Sequence, residues 1–577
     1  MRLKALKITN FGCIDDRGYE FDVDDIIVLI GPNNVGKSSI LDAYEAFASV
    51  GTPRPLKDFR NEDPANHIAI VGVFVDLNAE DIETVGAKWK HTDEKYGDCI
   101  RAKWEWSAPD EKGDKFSWDP EKHEWVAGGM GGWDTLIASR IPVPLRVRPT
   151  DDAATTEAQI VVILTTAAKK AIQADEGRTS EVLGALKKLT DELAKEVEAQ
   201  LSQATGRITA RIGSIFPGYT VEFIPEIGEF TPEKAVGAGS YIRVRGPGEG
   251  SIPLAQQGAG LRRTFLWSAL GTLADIGQVK RGKTTITADR QRILLIEEPE
   301  SFLHPPMVRA AREALYALAE VPEWQVIATT HSPVFVDVSK PHTTIVRVAR
   351  EGEQRTRLFS TDKAAFSNEE RENLKMIRSC HATVAEFFFV DHVVLVEGET
   401  EHAVLSVLLS RRLDAAGRGM CVVNCLGKAN IPLFQKILNQ FGSPYTVVHD
   451  SDAPRVLRNG NWQRNSMWTI NERILQALAA RDPKHPTSRA VVHIPDFEQH
   501  YFGRSLASDK PYHALKVLSQ PDFDTAASFE RLRSMVDGIL QGAHPCTYSS
   551  MADLSARVTE WAERSVPERR EEWVVEQ

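Results

Sequence analysis

The stretch IIVLIGPNNVGKSSILDAYEAF, residues 26–47, passes from an apolar run through a glycine-bearing loop into helical spacing. Within it, GPNNVGKS (31–38) fits G-x-x-x-x-G-K-[ST] at every fixed position. Gly31 and Gly36 let the backbone N–H groups curl around phosphates, with Asn33, Asn34 and Ser39 in the same cradle. Lys37 reaches the terminal phosphates and the Ser38 hydroxyl can ligate Mg²⁺. The helix that follows adds its positive N-terminal dipole. An α/β nucleotide-binding domain is therefore predicted from residue 1 onward.

Such a loop needs carboxylates at the end of a neighbouring strand. RILLIEEPESFLHP (292–305) supplies them: a buried strand ending in Glu297, to help hold hydrated Mg²⁺, and Glu298, to polarise the attacking water as general base. WQVIATTHSP (324–333) is another apolar strand, ending near His331, which is placed to contact a γ-phosphate.

Outward from this engine, 577 residues call for two or three domains. Short alternating runs such as VGVFVDL and CIRAKWEWSA predict a small antiparallel sheet between Val71 and Trp133. From about 155 to 216 the spacing turns helical, with Leu186, Leu189, Leu193, Val197, Leu201, Ile208 and Ile212 forming an apolar stripe that fits either packing within its own domain or a dimer contact. β-like sequence returns from Tyr219 to Val244. The predicted division is 1–154 and 217–375 for the two parts of the ATPase, 155–216 for a helical insertion and 376–577 for a second domain.

Composition sets limits. Six scattered cysteines without a CxxC pair argue against disulfides and structural zinc. A net charge of −11 argues against a generally basic DNA-coating protein, while leaving room for local Lys and Arg contacts. No apolar run approaches the roughly 20 residues that span a bilayer, and MRLKALKITNFG lacks the apolar core of a signal peptide. A cytoplasmic protein without a membrane segment is expected.

The second domain opens with VVLVEGETEHAVL (393–405), a buried strand followed at once by Glu397, Gly398 and a helix. Glu401 lies about one helical turn after Glu397, so both carboxylates can face one cavity. Further on, TVVHDSDAP (446–454) ends an apolar run in Asp450 and Asp452. In extended backbone these point to the same side, and two like charges so close ask for a cation; a solvated Asx-type turn is the alternative. VVNCLGKAN (422–430) gives the glycine-bearing turn after an intermediate strand. PRVLRNGNWQRNSMW (454–468) then sets Arg455, Arg458 and Arg464 beside Trp462 and Trp468, either a phosphate-binding and base-stacking segment or an ordinary solvated loop.

The first set of motifs resembles an ABC-type ATPase of the SMC and RecF-like branch. That likeness implies two heads sandwiching ATP, with LAQQGAGLRR (254–263) as the signature loop, although Gln256 and Gln257 stand where a serine is expected. A strand ending in Glu-Gly, a helix and a strand ending in Asp-x-Asp resemble the Toprim domain, which implies Mg²⁺ or Mn²⁺ at Glu397, Asp450 and Asp452, with Glu401 beside them. ATPase followed by Toprim, with Glu498 in IPDFEQHYFG and Lys510 in SDKPYHAL beyond the Asp-x-Asp, resembles the OLD (overcoming lysogenization defect) family, which includes the nuclease of Gabija-type phage defence. The resemblance implies a homodimeric, ATP-controlled endonuclease that nicks or cleaves DNA with two metal ions about 4 Å apart. In that reading Glu397, Asp450, Asp452 and Lys510 are catalytic, Glu498 is a further metal ligand, and a UvrD-like helicase or a retron is a candidate partner. Two alternatives stand beside it: an SMC-like DNA-repair ATPase with a non-cleaving Toprim module, and a Toprim nucleotidyl transferase or primase.

Overall fold

The structure is a computed structural model. It describes residues 1–32, 35–128, 140–149, 204–224, 241–248, 250–275, 280–281, 284–285, 290–337, 343–351, 355–360, 382–411, 419–481, 488–503, 509–541 and 548–574, with 157, 161, 202, 367, 368 and 370. Asn33, Asn34 and the Leu186-to-Leu201 stretch of the helical stripe lie outside them. The chain divides into two compact units, Met1–Asp337 with Pro341–Leu358, and Val338–Lys340 with Phe359–Gln577.

The first unit stacks two sheets. One follows the order Arg355–Ser360, Thr343–Glu351, Ile26–Ile30, Trp324–Thr329, Arg292–Glu297, Val143–Val147, and the last five pair in parallel. Its central strands IIVLI and WQVIAT are buried at every position, as expected where both faces of a parallel sheet are covered. The other sheet is antiparallel and carries Tyr19–Asp22, Arg2–Thr9, Ile68–Val75, Gly97–Trp106, Asp114–Asp119 and Glu124–Ala127 in that order, with His91–Asp93 paired to Gly97–Trp106. The helix Lys37–Ala48 contributes Ile40, Leu41, Tyr44 and Phe47 to one core shared with Leu6, Phe74 and Trp104 of the antiparallel sheet and Leu29 and Leu295 of the parallel one. Phe-to-Ala truncation in such a core costs about 3–5 kcal/mol. Buried Gln325 stitches the sheets together: its amide donates to the carbonyls of Leu3 (2.9 Å) and Asp24 (3.2 Å), and its oxygen accepts from the Leu3 N–H (3.2 Å).

Strands Thr220–Ile224, Tyr241–Arg245 and Ser251–Pro253 form a third small sheet, where the returning β pattern is expected. Residues 204–213 are helical, with Ile208 and Ile212 buried. The signature-like stretch forms a short 3-10 turn, Leu254–Gln256, ahead of the helix Ala259–Asp275.

The second unit is built on a four-stranded parallel sheet in the order Met420–Asn424, His392–Val396, Tyr445–Asp450, Arg489–His493. The chain moves outward from His392–Val396 first to one side and then to the other, which leaves a crevice at the carboxyl ends of the two central strands. Open α/β sheets bind ligands at such a switch point. The helices Glu399–Arg411 and Lys510–Leu518 pack together through Val404, Leu405, Leu408, Ala514 and Leu518 over Val394 and Val448. Among the described residues, no helix is long and apolar enough to cross a membrane.

Candidate functional site

Each unit holds one constellation. In the first, the loop after Ile26–Ile30 depends on two glycines in left-handed backbone, Gly31 (φ +139°) and Gly36 (φ +97°). A Cβ at Gly31 would strike the Val348 carbonyl, and one at Gly36 the Cys13 sulfur. Lys37, at the start of the helix, folds its ammonium back to donate to the carbonyls of Gly31 (2.9 Å) and Pro32 (2.6 Å). Burial pulls its pKa down to about 8, against the pull of Glu298 and Glu300. A desolvated ammonium of this kind gains most from a polyanion, so the loop fits a nucleotide phosphate.

The Ser38 hydroxyl donates to Glu297 Oε2 at 2.8 Å, and the buried Arg146 pairs with the other Glu297 oxygen and with Asp42 (3.0 Å). Glu298 sits just past the strand in left-handed backbone (φ +44°). Its carboxylate accepts from Ser301 Oγ (2.9 Å), its carbonyl from Arg263 (2.6 Å), and His331 Nε2 lies 4.0 Å from Oε1. Burial, followed by Lys37, lowers the His331 pKa. Lys37, Ser38, Glu297, Glu298 and His331 thus come together as the motifs predict, and Ser39 lies one position on in the same helix. Sequence reasoning overlooked Arg146 and Glu300. Glu300 Oε1 accepts from Thr330 Oγ1 (2.8 Å) and from the N–H groups of His331 (2.7 Å) and Ser332 (3.1 Å), anchoring the histidine loop. The acidic run EEPE carried that signal.

In the second unit Glu397 follows one central strand and Asp450 ends the other. The Asp450 N–H donates to Glu397 Oε2 at 3.4 Å, and Asp450 Oδ1 accepts from the Phe497 N–H at 2.8 Å. Glu401, buried on the first turn of Glu399–Arg411, lies beside them, and buried Glu498 pairs with Lys510 Nζ at 3.2 Å. Burial raises the pKa of Asp450 well above the carboxylate range, reinforced by Glu401 and Glu397. It also raises Glu397, and lifts Glu401 to about 7, where Glu397 and Glu498 add to the effect. Burial opposes the charge on Lys510, but the hydrogen bond to Glu498 prevails and raises its pKa.

The Asp-Ser-Asp segment differs from its sequence expectation. The strand stops at Asp450, Ser451 donates its N–H to the His493 carbonyl (2.8 Å), and Asp452 turns into left-handed backbone (φ +58°). The two carboxylates therefore do not share a strand face. Asp452 instead accepts from Lys428 Nζ at 2.5 Å, and the same ammonium donates to the Asp450 carbonyl at 2.5 Å. Lys428, whose side chain is fully buried, comes from the LGKAN turn and was overlooked as a site residue. The aromatic expectation for the arginine-rich segment also changes: Trp468 is buried in the domain, and Trp462 donates to Glu571 Oε2 at 2.9 Å.

Among the described residues, no three His, Cys, Asp or Glu side chains are gathered into a preformed metal cage. The donor chemistry nevertheless suits a hard divalent cation. Carboxylates crowd the switch point, with His493 Nδ1 3.9 Å from Asp450 Oδ1. After burial, neighbouring acids raise the pKa of each: Asp452 and Glu498 act on Glu397, Glu397 and Glu498 on Glu401, and Glu401 and Glu397 on Asp450.

Residues 388–452, which include Glu397, Glu401, Asp450 and Asp452, match the family described as "Overcoming lysogenization defect protein-like, TOPRIM domain". Residues 1–125 and 146–336, more than half of the chain, match the AAA ATPase domain family. The OLD nuclease of Thermus scotoductus is 30% identical over 265 residues, covering 44% of this chain and 48% of that protein, so the chain spans about half the length of that relative. The Old nuclease of Escherichia phage P2 is 21% identical over 471 residues, covering 78% of this chain and 77% of that protein. Among solved structures, an Smc head bound to the C-terminal winged-helix domain of ScpA aligns at 14% identity with a TM-score of 0.40, over 62% of this chain and 97% of that one. A phosphate loop with its carboxylate strand in one unit, and the Glu-Gly and Asp-x-Asp strands side by side in the next, match both halves of one architecture, and the chain belongs to the OLD family of ATPase–Toprim proteins.

Proposed function

We propose that this chain is an ATP-regulated, metal-dependent DNA endonuclease that nicks or cleaves duplex DNA in defence against phage, working as a homodimer. The observation that carries the reading is the trio Glu397, Glu401 and Asp450 at the switch point of the second unit, each held above its ordinary pKa by burial and by its neighbours. Carboxylates buried without a cation are costly to keep charged, and catalytic sites are where such clusters collect. These three, with Asp452 and Glu498, would hold Mg²⁺ or Mn²⁺. A pair of such ions supplies an activated water and a stabilised leaving oxygen for phosphodiester hydrolysis.

The chain's own groups do the rest. Lys510, with half its side chain exposed, can reach a phosphate oxygen from its place on Glu498. Lys428 fixes the turn that carries Asp452. In the first unit, Lys37, Ser38 and Glu297 would hold MgATP, and Glu298 would take the proton of the attacking water. Phosphodiester hydrolysis runs downhill, so ATP serves to switch geometry. The names of the two aligned OLD nucleases support the activity.

Incubation of purified chain with supercoiled plasmid and Mg²⁺ or Mn²⁺, with and without ATP, tests the reading, with relaxed or linear product expected. A non-cleaving Toprim module is the second reading, favoured by the grip of Lys428 on Asp452. Intact plasmid in both metals, with ATP turnover present, would install it in place of the first.

A further inference from the structure

Immediately after Asp452 the chain changes character. Residues 453–471 contain Arg455, Arg458 and Arg464 and no carboxylate, in a chain of net charge −11. Arg455–Arg458 and Asn461–Arg464 form an antiparallel hairpin in which Arg455 faces Arg464, Leu457 faces Trp462 and Arg458 faces Asn461. Asn459 (φ +50°) and Gly460 (φ +77°) close it, with the positive dihedrals that a two-residue type I′ turn requires. A two-stranded hairpin alone is marginal in water, and this one is anchored at its root. The Asn465 N–H donates to the Pro454 carbonyl and its side-chain amide to the Ala453 carbonyl, both at 2.8 Å. Trp462 is tied to Glu571 at 2.9 Å.

What the anchored hairpin presents is unusual for a solvated loop. Leu457 is 55% exposed, and Arg458, Asn461, Gln463 and Arg464 are exposed around it. Among the described residues, Phe302 and Tyr512 are the other large apolar side chains that stand at least as open. The ribbon has no carboxylate of its own, though Glu571 meets Trp462 and Glu472 lies 4.0 Å from Arg464. An apolar side chain next to Arg458 on such a ribbon suits a surface that is anionic outside and apolar within. The grooves of duplex DNA have that character: phosphates line the rims and thymine methyl groups and base edges the floor. The dimensions agree. Four residues at about 3.4 Å each reach about 14 Å, more than the depth of a major groove, about 8.5 Å, which admits a two-stranded ribbon.

We infer that the hairpin Arg455–Arg464 enters a groove of duplex DNA and sets the position of the strand that reaches the carboxylates. It rests on the nuclease reading above and adds to it the recognition element. Its root is the Asp-x-Asp turn itself, so a ribbon seated in a groove fixes the spacing between its own contact and the phosphate beside Asp450.

The test is fluorescence anisotropy of a labelled 30-base-pair duplex with the full chain in EDTA, where nothing is cut. Arg458→Glu should weaken binding about tenfold and lower the slope of log affinity against log salt by about one. Leu457→Ser should weaken it about threefold, and Arg458→Lys should retain most of the parental affinity. Unchanged thermal midpoints would show that the exposed tip has been altered without harm to the fold. Parental affinity and salt slope in Arg458→Glu, or losses confined to single-stranded DNA, would overturn the ribbon and leave the nuclease reading standing. A parent chain that binds no duplex would overturn both.

Discussion

Ser38 and Glu297, 259 residues apart in the chain, meet at 2.8 Å where the phosphate loop faces the end of the neighbouring strand. Arg146 holds the second Glu297 oxygen, so the carboxylate is fixed at both ends. Glu297→Gln keeps the shape and removes the charge. ATP hydrolysis should fall at least about a hundredfold, as expected for damage to a metal site, while binding of a fluorescent ATP analogue stays within about tenfold. Phosphate release near the parental rate would place the metal ligand elsewhere.

Glu298 is a different case. Its carboxylate accepts from Ser301 and stands 4.0 Å from His331. Glu298→Gln should bind ATP normally and turn it over about a hundredfold more slowly, the scale of a lost general base. Single-turnover kinetics would separate this from slow product release, and a normal chemical step would shift the role to another group.

Asp450→Ala should abolish plasmid cleavage in Mg²⁺ or Mn²⁺ and leave ATP hydrolysis intact. A lost metal ligand removes several kcal/mol of transition-state stabilisation, slowing cleavage about a thousandfold or more. Because burial, and then Glu401 and Glu397, already push the Asp450 pKa upward, the metal-free protein should not lose stability. Undiminished nicking by the purified variant would end the Toprim-nuclease reading.

Lys428→Met tests the buried ammonium. Asp452 and the Asp450 carbonyl would both lose their donor inside the fold, and breaking a buried pair by removing one partner costs about 3–5 kcal/mol. Asp452 is partly exposed, which puts the expected loss near the lower figure in urea unfolding. Millimolar Mg²⁺ should restore part of it by binding the freed carboxylates. A variant as stable as the parent would assign the grip no structural weight.

His392 predicts an acid limb. Burial, with Arg489 nearby, lowers its pKa from 6.5 to about 4, and its ring meets Thr446 Oγ1 at 2.9 Å. Between those values the unfolded chain takes up a proton that the folded chain refuses. The stability is fully present above pH 6.5 and is lost as pH falls through the window toward 4. At about 1.4 kcal/mol per pH unit, roughly 2 kcal/mol should be gone by pH 5. His449, lowered to about 3 by burial, adds to the same limb. His392→Gln should therefore make it shallower by roughly 2 kcal/mol in urea titrations at pH 7.5 and 5, and an unchanged pH dependence would assign the limb to other groups.

Local patterns announced most of this molecule, and long-range pairing explains the remainder. The sequence 31–38 and the acids at 297 and 298 are legible because each motif sets its own backbone, and parallel strands buried on both faces leave unbroken apolar runs. Arg146 and Lys428 act across gaps in the chain that no window spans, on partners 151 and 24 residues away. The Asp-Ser-Asp reading failed on one dihedral, because extension through Asp452 would forfeit the turn that brings it to Lys428. Trp468 and Trp462 look alike in sequence, yet one faces the domain core from the helix Ser466–Ala479 and the other is held by a glutamate 109 residues away.

The backward fold of Lys37 makes nucleotide binding an exchange reaction. An ammonium has three N–H donors, and here two are committed to the carbonyls of Gly31 and Pro32. An incoming anion meets the one remaining N–H and must displace the internal acceptors to draw on the other two, so a ligand with a single charged oxygen gains little over what the loop already provides. A triphosphate brings several oxygens at once and can satisfy the lysine and the surrounding N–H groups together. A loop held this way would act as a valency filter, favouring polyphosphate over acetate or chloride.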